Sequence, residues 1–132
     1  MSKNALIMGI ETSCDETAAA IIQDDSSGIP KILSNIVSSQ FDVHKKFGGV
    51  VPDLAARAHV EKIDLIVKEA LMKSKKSLND IDAVAATAGP GLIVCLSVGL
   101  NFAKALSLSL NKPFIGVNPV SYTHLRAHET EE

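Results

Sequence analysis

The order of apolar and polar segments predicts an α/β domain in which three meandering strands precede alternating helix and strand. Three observations carry this reading. Two short apolar runs flank a polar turn at 11–16, a helical repeat of apolar residues starts at Ile63, and breaks marked by glycine and proline separate the apolar runs of the second half. With 132 residues, 46% of them hydrophobic, the chain has material for one core.

Ala5 to Ile10 and Thr17 to Ile22 read as a hairpin, joined by the polar residues Glu11, Thr12, Ser13, Cys14, Asp15 and Glu16. Ile32 to Ser39 alternates in part and predicts a third antiparallel strand, with Ile32, Ser34, Ile36 and Ser38 on one face and Leu33, Asn35 and Val37 on the other. Pro52 suits the first turn of a helix, because its missing N–H has no partner there in any case. Ile63, Ile66, Val67 and Ala70 then fall on one stripe, so an amphipathic helix is predicted from Pro52 to Lys73.

Ser77 followed by Asp80 resembles a capping box, placed ahead of the small and β-branched run Ala83 to Thr87, which predicts a buried strand. Gly89, Pro90 and Gly91 break the chain. Leu92, Leu96, Gly99, Ala103, Leu106 and Leu110 recur at helical spacing after them, and Pro113 to Val117 gives a last apolar strand. The resulting order, βββαβαβ, is that of a ribonuclease-H-like lobe, the half-unit of the actin, sugar-kinase and chaperone ATPase superfamily.

Lys and Arg total 13 against 15 Asp and Glu, and the pI is near 6.1. No basic field of an autonomous nucleic-acid binder is present, so any RNA contact has to come from elsewhere. Cys14 and Cys95 are far apart, which suits a reducing compartment; with no signal-peptide pattern, a cytoplasmic protein is expected. The longest apolar stretch, Leu92 to Leu100, is interrupted by Ser97 and Gly99 and falls short of the roughly 20 residues that span a bilayer. It reads as core.

Chemistry concentrates in two places. The turn 9–17 can aim backbone N–H groups and the hydroxyls of Thr12, Ser13 and Thr17 at phosphate oxygens, while Asp15 or Glu16 holds a metal, a water or an attacking hydroxyl. The alternative is an ordinary polar hairpin tip. Gly89, Pro90 and Gly91 lead into a helix, whose free N–H groups and positive dipole end favour an anion. The alternative there is a strand-to-helix turn in which glycine supplies unusual torsions. Asp53 and Arg57, four apart on a helix, fit a local ion pair. Cys14 has no dedicated base beside it in sequence and reads as packing, and Cys95 reads as core.

Gly9 to Thr17 (GIETSCDET), SSQ at 38–40, His44, GGVVPD at 48–53, ARAH at 56–59 and TAGPGL at 87–92 occur in this order. Together they resemble the signature of the tRNA threonylcarbamoyladenosine transferase family, once called glycoproteases or O-sialoglycoprotein endopeptidases. The resemblance covers Ala5 to Asn118. It implies a two-lobed acyltransferase that moves the threonylcarbamoyl group from threonylcarbamoyl-adenylate to an adenosine beside the tRNA anticodon. On that resemblance Asp15 and Glu16 are the catalytic candidates, and Thr12, Ser13, Thr17, Gly89, Pro90 and Gly91 the substrate- or phosphate-binding ones. Where the family usually has Glu, Asp53 keeps the charge and loses one methylene of reach.

The family's iron or zinc is held by two histidines of an HxxEGH motif and a distant Asp, and the first histidine should follow Asn118. Pro119 follows instead. Residues 120–130 (VSYTHLRAHET) resemble a translated sequencing adapter, so the expected organisation is an N-terminal lobe over 1–118 and a non-native tail over 119–132. His124 and His128 are i, i+4 neighbours, but they lack the intervening GluGly and a third ligand and are not assigned to a metal. The resemblance thus implies an inactive N-terminal fragment that binds no cofactor itself. The parent's partners would be tRNA, a paralogous scaffold subunit and an ATPase subunit in bacteria, with no membrane. Two other functions fit the fold: the non-catalytic scaffold paralogue, and a superfamily ATPase or kinase lobe.

Overall fold

Residues 5–13, 16–24, 28–39, 52–90 and 93–118 are described by a computed structural model, with backbone alone at 39 and 52–56. Strands β1 (Leu6–Glu11) and β2 (Glu16–Gln23) form the expected antiparallel hairpin, in register from Leu6 opposite Gln23 to Glu11 opposite Ala18. Strand β3 (Lys31–Ser39) pairs antiparallel with β2. Helix α1 (Pro52–Ser74) returns the chain to β4 (Ala83–Thr87), which pairs parallel with β1, and α2 (Ile93–Leu110) leads to β5 (Phe114–Val117), parallel with β4. The sheet order is β3-β2-β1-β4-β5, and the element order is the βββαβαβ read from the sequence, with one short 3₁₀ turn added at Leu78–Asp80.

Both helices cover one sheet face. Leu6, Met8 and Ile10 of β1, Ala19 and Ile21 of β2 and Val84 and Ala86 of β4 meet Ile63, Ile66, Val67 and Ala70 of α1 and Ala103 of α2, all buried in one core. The 63, 66, 67, 70 stripe is therefore the buried stripe. The opposite face carries Gly9, Ala18, Ala20 and Ala85 between Ile7 and Ile22, and forms a shallow apolar trough of about 320 Å³ with Glu11 and Thr87 at one end.

Strand β3 departs from strict alternation. The register shifts between Ile21, opposite Ser34, and Ile22, opposite Ile32, so Leu33 is an inserted residue. A bulge of this kind moves residues before it onto the other face. Ile32, expected beside Ser34, is accordingly 67% exposed, while Leu33 packs against the core and the buried Ser34 donates its hydroxyl to the Ala70 carbonyl at 2.8 Å.

Both helices end alike, and without glycine. Lys75 and Asn111 take positive φ values of 60° and 56°. The N–H groups of Lys76 and Lys112 reach back to the carbonyls of Leu71 and Ser107, closing two Schellman motifs. After α1, the Asp80 carboxylate accepts from the Ser77 N–H at 2.9 Å and from the Ser77 hydroxyl at 3.2 Å. These bonds, the backbone one first, hold the Asp80 carboxyl below its usual range. Their support is complete above the ordinary carboxylate pKa and is lost as pH falls through the lowered one. In an NMR titration the Ser77 amide is expected to move with a midpoint below that of an exposed carboxylate, and Asp80→Asn to abolish the step; an ordinary midpoint would show the bonds absent in solution.

Over Ile93–Leu110, α2 is long and apolar enough to cross a membrane by length and composition alone, with a mean hydropathy of 1.7. Here it lies along the sheet, burying Cys95, Leu96, Gly99, Ala103 and Ser107. Its other side keeps Ile93 and Leu108 exposed, so the core reading holds for one stripe of the helix. Strand β5 starts one residue later than expected, because Pro113 has no N–H to give the ladder; its carbonyl still accepts from the Val84 N–H at 3.0 Å. The strand is an edge of the sheet and largely exposed.

Candidate functional site

Parallel pairing sends the C-terminal ends of β1 and β4 out on the same edge of the sheet, Ile10 beside Ala86. In open α/β sheets, ligands sit outside such strand ends. The turn after β1 and the turn after β4 thus start from neighbouring strand ends, and Glu11 links the first of them to the last residue of β4. One carboxylate oxygen of Glu11 accepts from the Ser13 N–H at 2.5 Å, and the other accepts from the Thr87 hydroxyl at 2.5 Å.

Thr12 fixes the same turn to α2. Its hydroxyl donates to the Cys95 carbonyl at 2.7 Å and accepts from the Gly99 N–H at 3.0 Å. These two groups are four residues apart on the helix, so the Thr12 hydroxyl contacts the donor and the acceptor of one turn of α2. The approach requires glycine: a Cβ on residue 99 would stand 2.5 Å from Thr12 Oγ1. On the far side of the turn, Thr17 Oγ1 lies 2.6 Å from His59 Nδ1 of α1, and both residues are fully buried.

The described residues on either side of Cys14 and Asp15 are therefore held by a strand, and by a helix at each flank. Of the predicted binding hydroxyls, those of Thr12 and Thr17 serve these internal bonds and face helices rather than an open edge. Ser13 remains half-buried, with its N–H on Glu11, and Glu16 is exposed at the first position of β2. Gly89 is buried and Pro90 exposed at the end of β4. Gly89 does not supply the unusual torsion of the alternative reading of this turn: among the described glycines only Gly28 has positive φ. Nothing lies within 4 Å of where a Gly89 Cβ would be. Cys95 is buried as expected. Cys14, Asp15, His44, Gly48, Gly49, Gly91, His124, His128 and the Asp53 side chain lie outside the described residues.

Four residues that shape the site carry no assigned role in the sequence reading: Glu11, Thr87, Gly99, and His59, which the sequence places only beside the flexible point at Gly48, Gly49 and Pro52. For His59 a signal existed, since it precedes Ile63, Ile66 and Ala70 by 4, 7 and 11 positions and so extends the buried stripe of α1. Glu11 and Thr87 meet across 76 residues of sequence, and only the strand register brings them together.

Among the described residues no three His, Cys, Asp or Glu side chains converge to hold a metal ion. No chemical step is assigned here to the iron or zinc of the resembled family.

The strand order, with β2 antiparallel inside an otherwise parallel set and both helices on one face, defines a ribonuclease-H-like α/β lobe. Solved structures agree at the level of fold: YeaZ from Pseudomonas aeruginosa superposes with a TM-score of 0.65 at 16% identity, covering 96% of this chain and 49% of that one. RuvC of Thermus thermophilus, in complex with a Holliday junction substrate, gives a TM-score of 0.57 at 15% identity, covering 94% and 72%. The family model of TsaD, tRNA N6-adenosine threonylcarbamoyltransferase, matches residues 31–132, and the chain belongs to that family. Proteins of that name from Pelagibacter ubique and Thermosipho melanesiensis are 65% and 57% identical to it over 97% and 87% of this chain. The chain spans about a third, 34%, of the length of each.

Proposed function

We propose that this chain provides the loop-bearing lobe of an enzyme that transfers the threonylcarbamoyl group from threonylcarbamoyl-adenylate to the exocyclic amine of an adenosine in tRNA. One observation within the fold supports the reading above others: Glu11 binds the turn after β1, at Ser13, to Thr87 at the C-terminal end of β4, while Glu16 stays exposed at that edge. A structural hairpin tip needs no such bracing. The open space at Gly89 leaves room for a ligand to approach the backbone of the second turn. In this reading the turns receive the acyl-adenylate, and Asp15 or Glu16 takes the proton released as the adenosine nitrogen attacks the carbamoyl carbon and the adenylate phosphate departs. The tRNA surface, the metal ligands and the partner subunits belong to the rest of the family's length, and a cytoplasmic location follows from the substrate.

The test is a chimera in which residues 5–118 replace the matching first third of the Pelagibacter ubique relative. With threonylcarbamoyl-adenylate, tRNA, iron and the relative's partner proteins, the chimera is expected to modify tRNA at a rate within about tenfold of the parent, as the effective chemistry is unchanged. A folded chimera that leaves tRNA unmodified overturns the reading. Hydrolysis of ATP without tRNA, in that inactive chimera, would favour a superfamily ATPase instead.

A further inference from the structure

We propose that His59, acting through Thr17, is a positioning residue that sets the place of Glu16; its catalytic consequence rests on the transferase reading above. The last pair of the β1–β2 ladder is Glu11 opposite Ala18, so Glu16 and Thr17 lie beyond the support of β1. On the other side they pair with Ser39 and Ser38 of β3. A strand end paired on one side only is free to twist and fray. Among the described residues, the side-chain bond that reaches this strand end is the 2.6 Å contact between the Thr17 hydroxyl and His59 Nδ1, buried completely at both ends.

His59 is itself fixed. It lies on the stripe of α1 that includes Ile63, Ile66, Val67 and Ala70, all buried against the sheet. The helix thus acts as a rigid arm, with the imidazole as its contact point on the strand end. Thr12 performs the matching task on the opposite flank through α2. With both flanks pinned, the exposed Glu16 carboxylate is presented from a defined backbone position. Preorganisation of this kind lets a reactive group act without first being ordered. A histidine is suited to the role because a ring nitrogen carried on a short, stiff side chain bonds the hydroxyl at a defined place.

The experiment compares Thr17→Val, which keeps the shape and removes the hydroxyl, with Thr17→Ser, which keeps the hydroxyl. Amide hydrogen exchange in this chain is read at Ser13 and Glu16, with Met8 and Val84 as core references. Thr17→Val is expected to speed exchange at Ser13 and Glu16 on the order of tenfold more than at Met8 and Val84, and Thr17→Ser to restore it. Acceleration that is equal at all four amides, or absent, overturns the proposal. If Thr17→Val yields no folded protein, His59→Gln is read by the same ratio with the same two outcomes. In the chimera, Thr17→Val should lower kcat on the order of tenfold with KM for tRNA unchanged, and Thr17→Ser should recover it. A wild-type chimera without activity sinks the transferase reading alone, and the exchange ratio still decides whether His59 positions the turn.

Discussion

Gly99→Ala should destabilise the protein by about 3 kcal/mol, the sum expected from overpacking and a lost buried hydrogen bond. The added methyl would sit 2.5 Å from Thr12 Oγ1 and 3.4 Å from its Cγ2, and neither neighbour can yield easily. Thr12 is 2% exposed, and its hydroxyl is held by both the Cys95 carbonyl and the Gly99 N–H. Relief would require either a rotamer change that breaks both Thr12 bonds, or a shift of α2 away from β1. Ordinary helix propensity argues the opposite way, since Ala is favoured over Gly by about 1 kcal/mol in a helix interior. The sign of the result therefore separates a contact effect from a propensity effect. The double variant with Thr12→Ala removes the atoms that clash, so its cost should fall below the sum of the two single costs by about 1 to 2 kcal/mol. Additive costs, measured by urea denaturation, would show that the close contact of Thr12 with α2 does not exist in solution.

Glu16→Gln, placed in the chimera, should lower kcat for threonylcarbamoyl transfer by roughly 10² to 10⁴, the range for loss of a general acid or base. Asp15→Ala is expected to act in the same direction, and the larger loss identifies which carboxylate moves the proton. Glu16 is exposed at the first position of β2, so its stability cost should stay within about 0.5 kcal/mol. That contrast is what a functional carboxylate predicts. Full activity with an unchanged thermal midpoint would return the turn to the status of a polar hairpin tip.

Much of the fold was legible because its signals are local. Segments of five to eight residues, apolar or partly alternating, marked every strand, and the stripe Ile63, Ile66, Val67, Ala70 marked α1 and its buried side together. What escaped was set by pairing. Nothing in Lys31 to Ser39 announces that Leu33 is an insertion, because a bulge is defined by the partner strand, and so Ile32 was placed on the wrong face. The site divides in the same way. The motif at 9–17 was visible as polar chemistry between apolar strands, but the direction of each hydroxyl was not. Thr12 and Thr17 look equivalent to Ser13 in the sequence; burial against two helices distinguishes them, and those helices lie 42 to 87 residues further along.

Those separations also order the events by which the turn acquires its shape. The hairpin can close early, since its partners are near in sequence, whereas the bonds from Thr12 to α2 and from Glu11 to Thr87 span 76 to 87 residues. Contacts of such high contact order form only after the intervening chain has been laid down. A nascent chain that has made β1, β2 and β3 therefore holds the complete GIETSCDET motif in an unshaped state. The turn becomes competent when β4 docks beside β1 and α2 closes over Thr12, which ties the readiness of the site to completion of the sheet.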